Sequence, residues 1–485
     1  MSVYIKVKRR FYQDSLKLMR ISGDMQEYDG IRQAFAFMGT DINKTTRIPP
    51  EVLTGEAKTA GPDDLILMIE CDDAEIAENA LYEFDKKMTE TAASVSQSGL
   101  NHEQLPSTLD EAIAAYPDAG IAVISIPGQY AAAQAMRALQ LGLNVHLFSD
   151  NVSVDDEIFL KEFAVKKGLL LMGPDCGTAI IQGVPFCFAN NLRKGGIGII
   201  AASGTGAQEV GCIIDSMGEG VSHIIGVGGR DLSERVGGIM TLYTIRLMAE
   251  DPETKVIAIV SKPPSKAVTD KIFKAVKAAG KPAVLVFMGY KGDASIYSPT
   301  LEEGAKKAVC LLTGKPAADL GTDTEINFQQ NNLVSDITGK YLRGLYTGGT
   351  LASEAEYLLT ENGINNYEIT DLGDDQYTRG ALHPMIDPAS RNRMVKQAAN
   401  DPSTAIILCD VVIGHGSHQN PAGELVKLLE DTNLCVLASV TGTNADPQNK
   451  SAQEAILRNA GVNVFPTNRR AVEAACKIMM GGAGK

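Results

Sequence analysis

One local pattern occurs twice in this chain, and it restricts the possible folds more than any other feature. Residues 198–210 read GIIAASGTGAQEV, and residues 344–355 read GLYTGGTLASEA. Each begins as an apolar, strand-like run. Each then passes through small residues (Gly, Ser, Thr) and continues as a helix-like segment. The flanks repeat as well. HIIGVGGRDLSERVGG, AEDPETKVIAIVSKPPS and KPAVLVFMG follow the first junction. YEITDLGDDQYTRGALHPMID, ANDPSTAIILCDVVIGHG and LCVLASVTG follow the second, and DPETKVIAIV aligns with DPSTAIILCD without a gap. A period this long indicates a duplicated α/β domain, not a solenoid.

The rest of the chain divides by style. At 485 residues, three or four domains are expected. Residues 1–100 alternate strands and helices in a small unit, as in a ferredoxin-like α+β domain. The polar stretch TETAASVSQSGLNHEQLP reads as a connector. Residues 107–192 open with STLDEAIAAY, where Ser107-x-x-Asp110 fits a capping box. Buried-strand runs such as AGIAVISIPG and LLLMGPDCGT then alternate with helical segments, which predicts a parallel sheet covered on both faces. The two copies occupy 193–325 and 332–485, joined through TGKPAADLGTDTEINFQQNNL.

A net charge of −14 argues against nucleic acid or an anionic membrane as the main partner. An acidic chain that takes an anionic substrate must use a local device, such as a helix N-terminus or a few placed cations. The eight cysteines are scattered singly with no CxxC, a reducing-compartment pattern. No stretch reaches the ~20 apolar residues of a spanning helix, so a soluble cytoplasmic protein is expected.

Ligands of doubly wound sheets bind outside the carboxyl ends of the strands, so each copy offers three loops. The first holds Ser203, Gly204, Thr205 and Gly206, or Gly348, Gly349 and Thr350. Glycine lets amides approach a ligand closely, and the helix dipole adds about half a positive charge. An ordinary capped turn, with Thr205-x-x-Gln208 as a capping box, explains either copy alone; the repetition favours a site. The two junctions are expected to face each other and hold one anion between them. The second loop is GVGGRDLSE against DLGDDQYTR. There Gly228 and Gly229 give room, Arg230 offers a bidentate fork, and Asp231, Asp374 and Asp375 offer acceptors for an amide. The alternative is a solvated turn in which Arg230 and Asp231 satisfy each other. In the third loop Lys262 follows a buried strand as a point cation. Its counterpart carries His415 and His418, read as hydrogen-bonding or solvent-exposed residues in preference to a metal pair, because no third ligand lies nearby. His383 follows a strand–loop segment, and one of His383, His415 and His418 is a candidate acid or base. His102, His146 and His223 read as structural, and Cys176 as a packed thiol.

Taken together, MGPDCGT, ASGTGAQE, GVGGRDLSERVGG, VSKPP, GLYTGGTLASEA, DLGDDQYTRGALHPMIDP, DVVIGHGSHQNPAG and VTGTNADPQ resemble the FdrA family over nearly the whole chain. That family is similar to succinyl-CoA synthetase. Residues 110–330 resemble its α subunit, and 331–485 the carboxy-terminal domain of its β subunit. The resemblance implies an α/β chain: a ferredoxin-like domain, a Rossmann-like CoA-binding-type domain at 107–192, and two flavodoxin-like ligase-type domains related by duplication. In the ligase, two facing helix N-termini hold a phosphohistidine. The loop that carries that histidine reads YKGDASIYSP here and has none. The resemblance therefore implies a non-covalent acyl phosphate, in an oxamate carbamoyltransferase that works with two companion proteins. It would interconvert oxalurate plus phosphate with oxamate plus carbamoyl phosphate. Arg230, Lys262, Asp375 and His383 would be catalytic. Ser203, Gly204, Thr205, Gly206, Gly228, Gly229, Asp231, Gly348, Gly349, Thr350, His415 and His418 would bind phosphate or substrate. No metal is implied. The alternatives are an NDP-forming acyl-CoA ligase, with CoA and nucleotide as substrates, and a non-catalytic docking or sensor subunit. An oligomer is expected.

Overall fold

A computed structural model describes residues 2–481 apart from positions 12, 14–17, 19–20, 23–24, 26–27, 29, 41–42, 45–47, 49–51, 54, 98–105, 294, 321–339, 379–381 and 430–433. Side chains at 87–97, 319 and 375 are likewise outside the description. His102 and most of the expected linker to the second copy fall among these residues. The chain forms two compact units, Met1–Ser107 and Thr108–Lys485.

In the first unit, strands β1 (Ser2–Lys8), β2 (Ile31–Met38) and β3 (Leu65–Cys71) form an antiparallel sheet in the order β1-β3-β2. β3 is central, and both of its faces are covered. Leu65, Leu67 and Ile69 pack with Ala77, Ala80 and Phe84 of helix α1 (Ala74–Gln97), and Ile66 and Met68 pack with Phe37 and Ile48. α1 runs past Thr89, where a connector was expected, because neither proline nor glycine interrupts it before Gly99.

The second unit opens with a small parallel sheet, β4 (Ile121–Ile124), β5 (Asn144–Leu147) and β6 (Leu171–Met172). Helices α2 (Leu109–Ala115), α3 (Gly128–Gln140) and α4 (Val154–Lys167) accompany it. Thr108, not Ser107, caps α2: its Oγ1 accepts the Glu111 N–H at 3.2 Å. The hairpin β7 (Thr178–Ile181) and β8 (Val184–Cys187) lies within the segment 107–192 but joins the next sheet. That sheet continues with β9 (Lys194–Ala201), β10 (Val221–Gly226), β11 (Val256–Ser261), β12 (Ala283–Phe287) and β13 (Tyr297–Ser298). Its helices are α5 (Gly204–Ser216), α6 (Ile239–Glu250), α7 (Lys266–Ala279) and α8 (Leu301–Thr313). A third sheet contains β14 (Tyr341–Tyr346), β15 (Tyr367–Asp371), β16 (Thr404–Val412), β17 (Cys435–Thr441) and β18 (Asn463–Phe465). Helices α9 (Gly349–Glu361), α10 (Ala389–Asn400), α11 (Pro421–Val426), α12 (Lys450–Asn459) and α13 (Asn468–Gly481) complete the unit.

The parallel strands run β13-β12-β11-β9-β10 in one sheet and β18-β17-β16-β14-β15 in the other. Numbered within each copy, both are the 2-1-3-4-5 order of flavodoxin-like sheets. Local signals define the helices. In α7, Val268, Ile272 and Val276 are buried at intervals of four, Ser265 caps the start, and Gly280 ends the helix in the left-handed region.

One apolar core joins the two larger sheets through α5, α8, α9 and α13. Within it, the halves exchange helix caps. Glu354 on α9 accepts the Leu301 N–H at the start of α8 (2.7 Å) and the Asn468 side-chain amide (2.9 Å). Glu209, at the matching position on α5, accepts the Asn468 N–H at the start of α13 (3.2 Å) and the Thr441 hydroxyl. Each first helix thus caps the last helix of the other half. Burial pushes the Glu354 carboxyl up to about 7. A carboxyl raised in the folded state contributes its full stability below its unfolded value, and loses that contribution as pH rises through the folded one. The chain should therefore melt at a lower temperature at pH 8 than at pH 6, and Glu354→Gln should narrow the difference in a thermal melt.

Candidate functional site at two facing helix N-termini

The two repeated junctions meet. Ser203 caps α5, its Oγ accepting the Gly206 N–H at 3.0 Å, and the same hydroxyl contacts Thr350 Oγ1 in the first turn of α9. A side chain at Gly206 would begin 2.9 Å from Thr350 Cγ2, and one at Gly348 would begin 3.0 Å from Thr205. Glycine at these positions is what allows the helices to approach. The cap is Ser203, not Thr205; Gln208 instead donates to Asn190 Oδ1 at 3.1 Å.

The Ser203 and Thr350 hydroxyls bridge the two helix ends directly, and the residues around that contact form its rim. α9 also carries its own counter-charge. The Thr347 and Gly348 N–H groups donate to Asp410 at 2.7 and 2.8 Å, and the Thr347 hydroxyl adds a third bond at 2.7 Å. Asp410, on β16, has no exposed surface, and burial pushes its carboxyl up. The buried Arg391 donates to the Asp410 carbonyl at 2.9 Å.

At the rim, Asp371 ends β15 and is half-buried. One oxygen, Oδ1, accepts the Gly373 N–H at 3.0 Å. The other, Oδ2, lies against Gly349 in the first turn of α9, in space that any side chain there would take. Burial pushes the Asp371 carboxyl up to about 6; the Lys262 ammonium and the Gly373 N–H pull it down, and Asp410 and Asp374 add to the rise. Lys262, exposed at the end of β11, thus brings a cation from the first half to the second. His383 Nε2 lies 2.7 Å from where a Gly373 side chain would begin, and Asp371 Oδ1 lies 3.3 Å from that point. Burial pushes the His383 imidazole down to about 4, so the ring is neutral at pH 7. Its Nδ1 accepts the Met385 N–H at 3.2 Å, which places the ring proton on Nε2. Phe188 packs tilted against the ring, centroids 5.7 Å apart.

On the α5 side, Gly228 and Gly229 border a shallow cleft with Asp175–Thr178, Ala201–Gly204 and Gly226. Cys176 in its wall is a packed thiol, pushed up to about 12 by burial. Two expected residues are drawn away from this cleft. The Arg230 guanidinium is held by Glu157 at 3.0 Å and the Val152 carbonyl at 2.8 Å, both from the α4 region. Asp231 is wholly buried, paired with Lys161 at 2.7 Å, and accepts the Thr241 N–H at 2.9 Å and hydroxyl at 2.7 Å at the start of α6. Arg230 and Asp231 do not satisfy each other. Asp374 accepts the Gln376 N–H at 3.0 Å on the surface, and the Asp375 side chain lies outside the described residues. His415 Nε2 pairs with Asn191 Oδ1 at 3.0 Å, and His418 Nδ1 accepts the Asn420 N–H at 3.1 Å, so both histidines hold loops. No metal-binding group of three ligands occurs among the described residues. No described helix is long and apolar enough to cross a membrane.

Family models described as "CoA binding domain" and "CoA-ligase" match residues 193–289 and 345–478, the two halves that build this site. A third, "AllF, heavy metal-associated domain", matches 1–105. YahF of Escherichia coli, an uncharacterized protein, is 39% identical over 95% of this chain and 96% of its own. This chain belongs to the YahF family. It is also 28% identical to the succinate–CoA ligase (ADP-forming) subunit alpha 2 of Archaeoglobus fulgidus, over 30% of this chain and 50% of that subunit. The solved structure of PH0766 from Pyrococcus horikoshii aligns over 75% of this chain and 85% of its own, at 15% identity and a TM-score of 0.33. The YahF family is therefore succinyl-CoA-synthetase-like in sequence, and the CoA-binding match falls on 193–289, beyond the segment 107–192 expected to carry it.

Gly349→Ala would drive a methyl group into the Asp371 carboxylate. It should cost about 1–3 kcal/mol of stability. Asp410→Ala should cost about 1.5–3 kcal/mol, because it strands the Thr347 and Gly348 donors. Chemical denaturation of both variants checks these values.

Proposed function

We propose that this chain is the phosphate-handling subunit of an enzyme that makes or cleaves an acyl phosphate, in the manner of the acid–thiol ligases its sequence resembles. The observation that carries this reading is the meeting of the α5 and α9 N-termini, with the Lys262 ammonium acting on the neighbouring Asp371 carboxyl. Free amides in the first turns and the ammonium would hold the phosphate oxygens, and their positive field would stabilise charge that builds as the acyl–phosphate bond breaks. The shared strand order supports descent of the two halves from one duplicated domain.

Nothing in the chemistry of the CoA-type segments requires a covalent phosphoenzyme. The loop 289–300 holds no histidine. The turn after β4, Ser125–Gly128, which lies outside the CoA-binding match, has one glycine, packed against the backbone of Asp150 and Asn151; it is not a glycine-rich pyrophosphate loop. Residues 1–105 contain one cysteine, Cys71, and one histidine, His102. That set does not fit a soft heavy-metal site, which needs paired thiolates or their equivalent. The missing loop histidine favours a second reading: direct transfer between phosphate and an amide-bound acyl group, as in oxamate carbamoyl transfer, with two companion subunits in an oligomer.

Incubation with labelled ATP and CoA separates the readings. The ligase reading expects CoA-dependent ATP turnover and a phosphorylated intermediate. The carbamoyl reading expects no label on the chain, and phosphate-dependent cleavage of oxalurate once the companions are added. In whichever assay is active, Lys262→Ala should lower kcat/KM about 10²–10³-fold. An unchanged value would remove Lys262 from the site, and inactivity in both assays would remove both readings.

A further inference from the structure

We infer that Asp371 is the proton-transfer group of this site, its Oδ2 taking the proton of the nucleophile that attacks the acyl phosphate. The inference rests on the acyl-phosphate reading and assigns a residue that the motifs did not single out. Its support is geometric. Asp371 stands at the carboxyl end of β15, where doubly wound sheets present ligands. Its two oxygens have different tasks. Oδ1 is fixed by the Gly373 N–H, which sets the orientation of the carboxylate, and Oδ2 has no hydrogen-bond partner among the described residues. That free oxygen lies over the first turn of α9, where the phosphate is proposed to bind. Gly349 is the residue that lets it approach so closely.

The groups facing the carboxyl come from four elements. Lys262 approaches from the end of β11, Asp410 from β16, Asp374 from its own loop, and His383 from beyond Gly373. His383 offers a proton at Nε2 and no free lone pair there, so it suits donation to a carbonyl or leaving-group oxygen, not base catalysis. Lys262 neutralises phosphate. Asp371 is the carboxyl here with an oxygen against the first turn of α9, and the burial that holds it near pH 6 keeps it ionised yet basic under neutral conditions.

The step balances as follows. A nucleophile X–H, a thiol or an amide, attacks the acyl carbon. The X–C bond forms, the proton moves from X to Asp371 Oδ2, and the C–O bond to phosphorus breaks. Phosphate leaves with the electron pair, and the Asp371 proton passes to phosphate or water.

The experiment is a pH–rate profile of the full chain with its companions, using carbamoyl phosphate plus oxamate in one arm and acetyl phosphate plus CoA in the other. The wild-type rate should rise with pH through about 6 and then level. Asp371→Asn should lower kcat about 10²–10⁴-fold with little change in KM, and should abolish the acid limb. Asp371→Glu should restore part of the rate together with a limb, which a folding defect or a purely structural role would not do. A wild-type enzyme that turns over, with an Asp371→Asn variant keeping both rate and limb, overturns the assignment and leaves the acyl-phosphate reading intact. A wild-type enzyme inactive in both arms overturns the two together.

Discussion

Two helix N-termini pointed at each other repel, since each carries about half a positive charge. The rest of this structure follows from how that repulsion is managed. Ser203 and Thr350 bring the ends into contact through their hydroxyls. Asp410, buried on β16, accepts the Thr347 and Gly348 N–H groups just ahead of α9. Asp371 lies against Gly349 in the first turn of α9. What the rim offers an anion is the first-turn amides of α5 and α9 and the Lys262 ammonium, with Asp371 as a fixed opposing charge. A bound phosphate there would complete the arrangement. The fixed carboxylates set how strongly it is held, so that a charged product can also leave.

Such a rim exists only if the halves stay in register. The shared apolar core supplies the bulk of that adhesion, and the exchanged caps supply direction. Glu209 and Glu354 can reach the N–H groups at the start of α13 and α8 only when the two halves are aligned. Both carboxyls are raised by burial, so the joint itself is sensitive to proton concentration. Site and joint lie on the same two helices, α5 and α9. A ligand that pulls on the first turns therefore acts on the helices that carry the exchanged caps.

Much of this was legible in the chain before any coordinates. Strand runs such as GIGIIA and AIILCD are buried on both faces and read as continuous apolar segments, and the repeated junctions marked where the sheets present ligands. The choice among charged residues was not legible, because it depends on partners distant in sequence. Arg230 and Asp231 sit in a glycine-rich loop that looks like a site, yet Glu157 and Lys161, some seventy residues earlier, claim them. Asp371 looks like an ordinary strand-end residue until Gly349 and Lys262 are folded against it. The paired dipolar ends were foreseen, but not their direct contact. Two small hydroxyl residues give no sign in sequence whether they will grip a ligand or each other.

The central claim is that the rim of the α5–α9 junction is an anion site built by both halves. A crystal structure of the protein soaked with orthovanadate or phosphate tests it most directly. The account predicts the anion within hydrogen-bond distance of the Gly349 or Thr350 amide and of the Lys262 ammonium, on the open side of the Ser203–Thr350 contact. An anion held elsewhere in the molecule, with this rim filled by water alone, would contradict it.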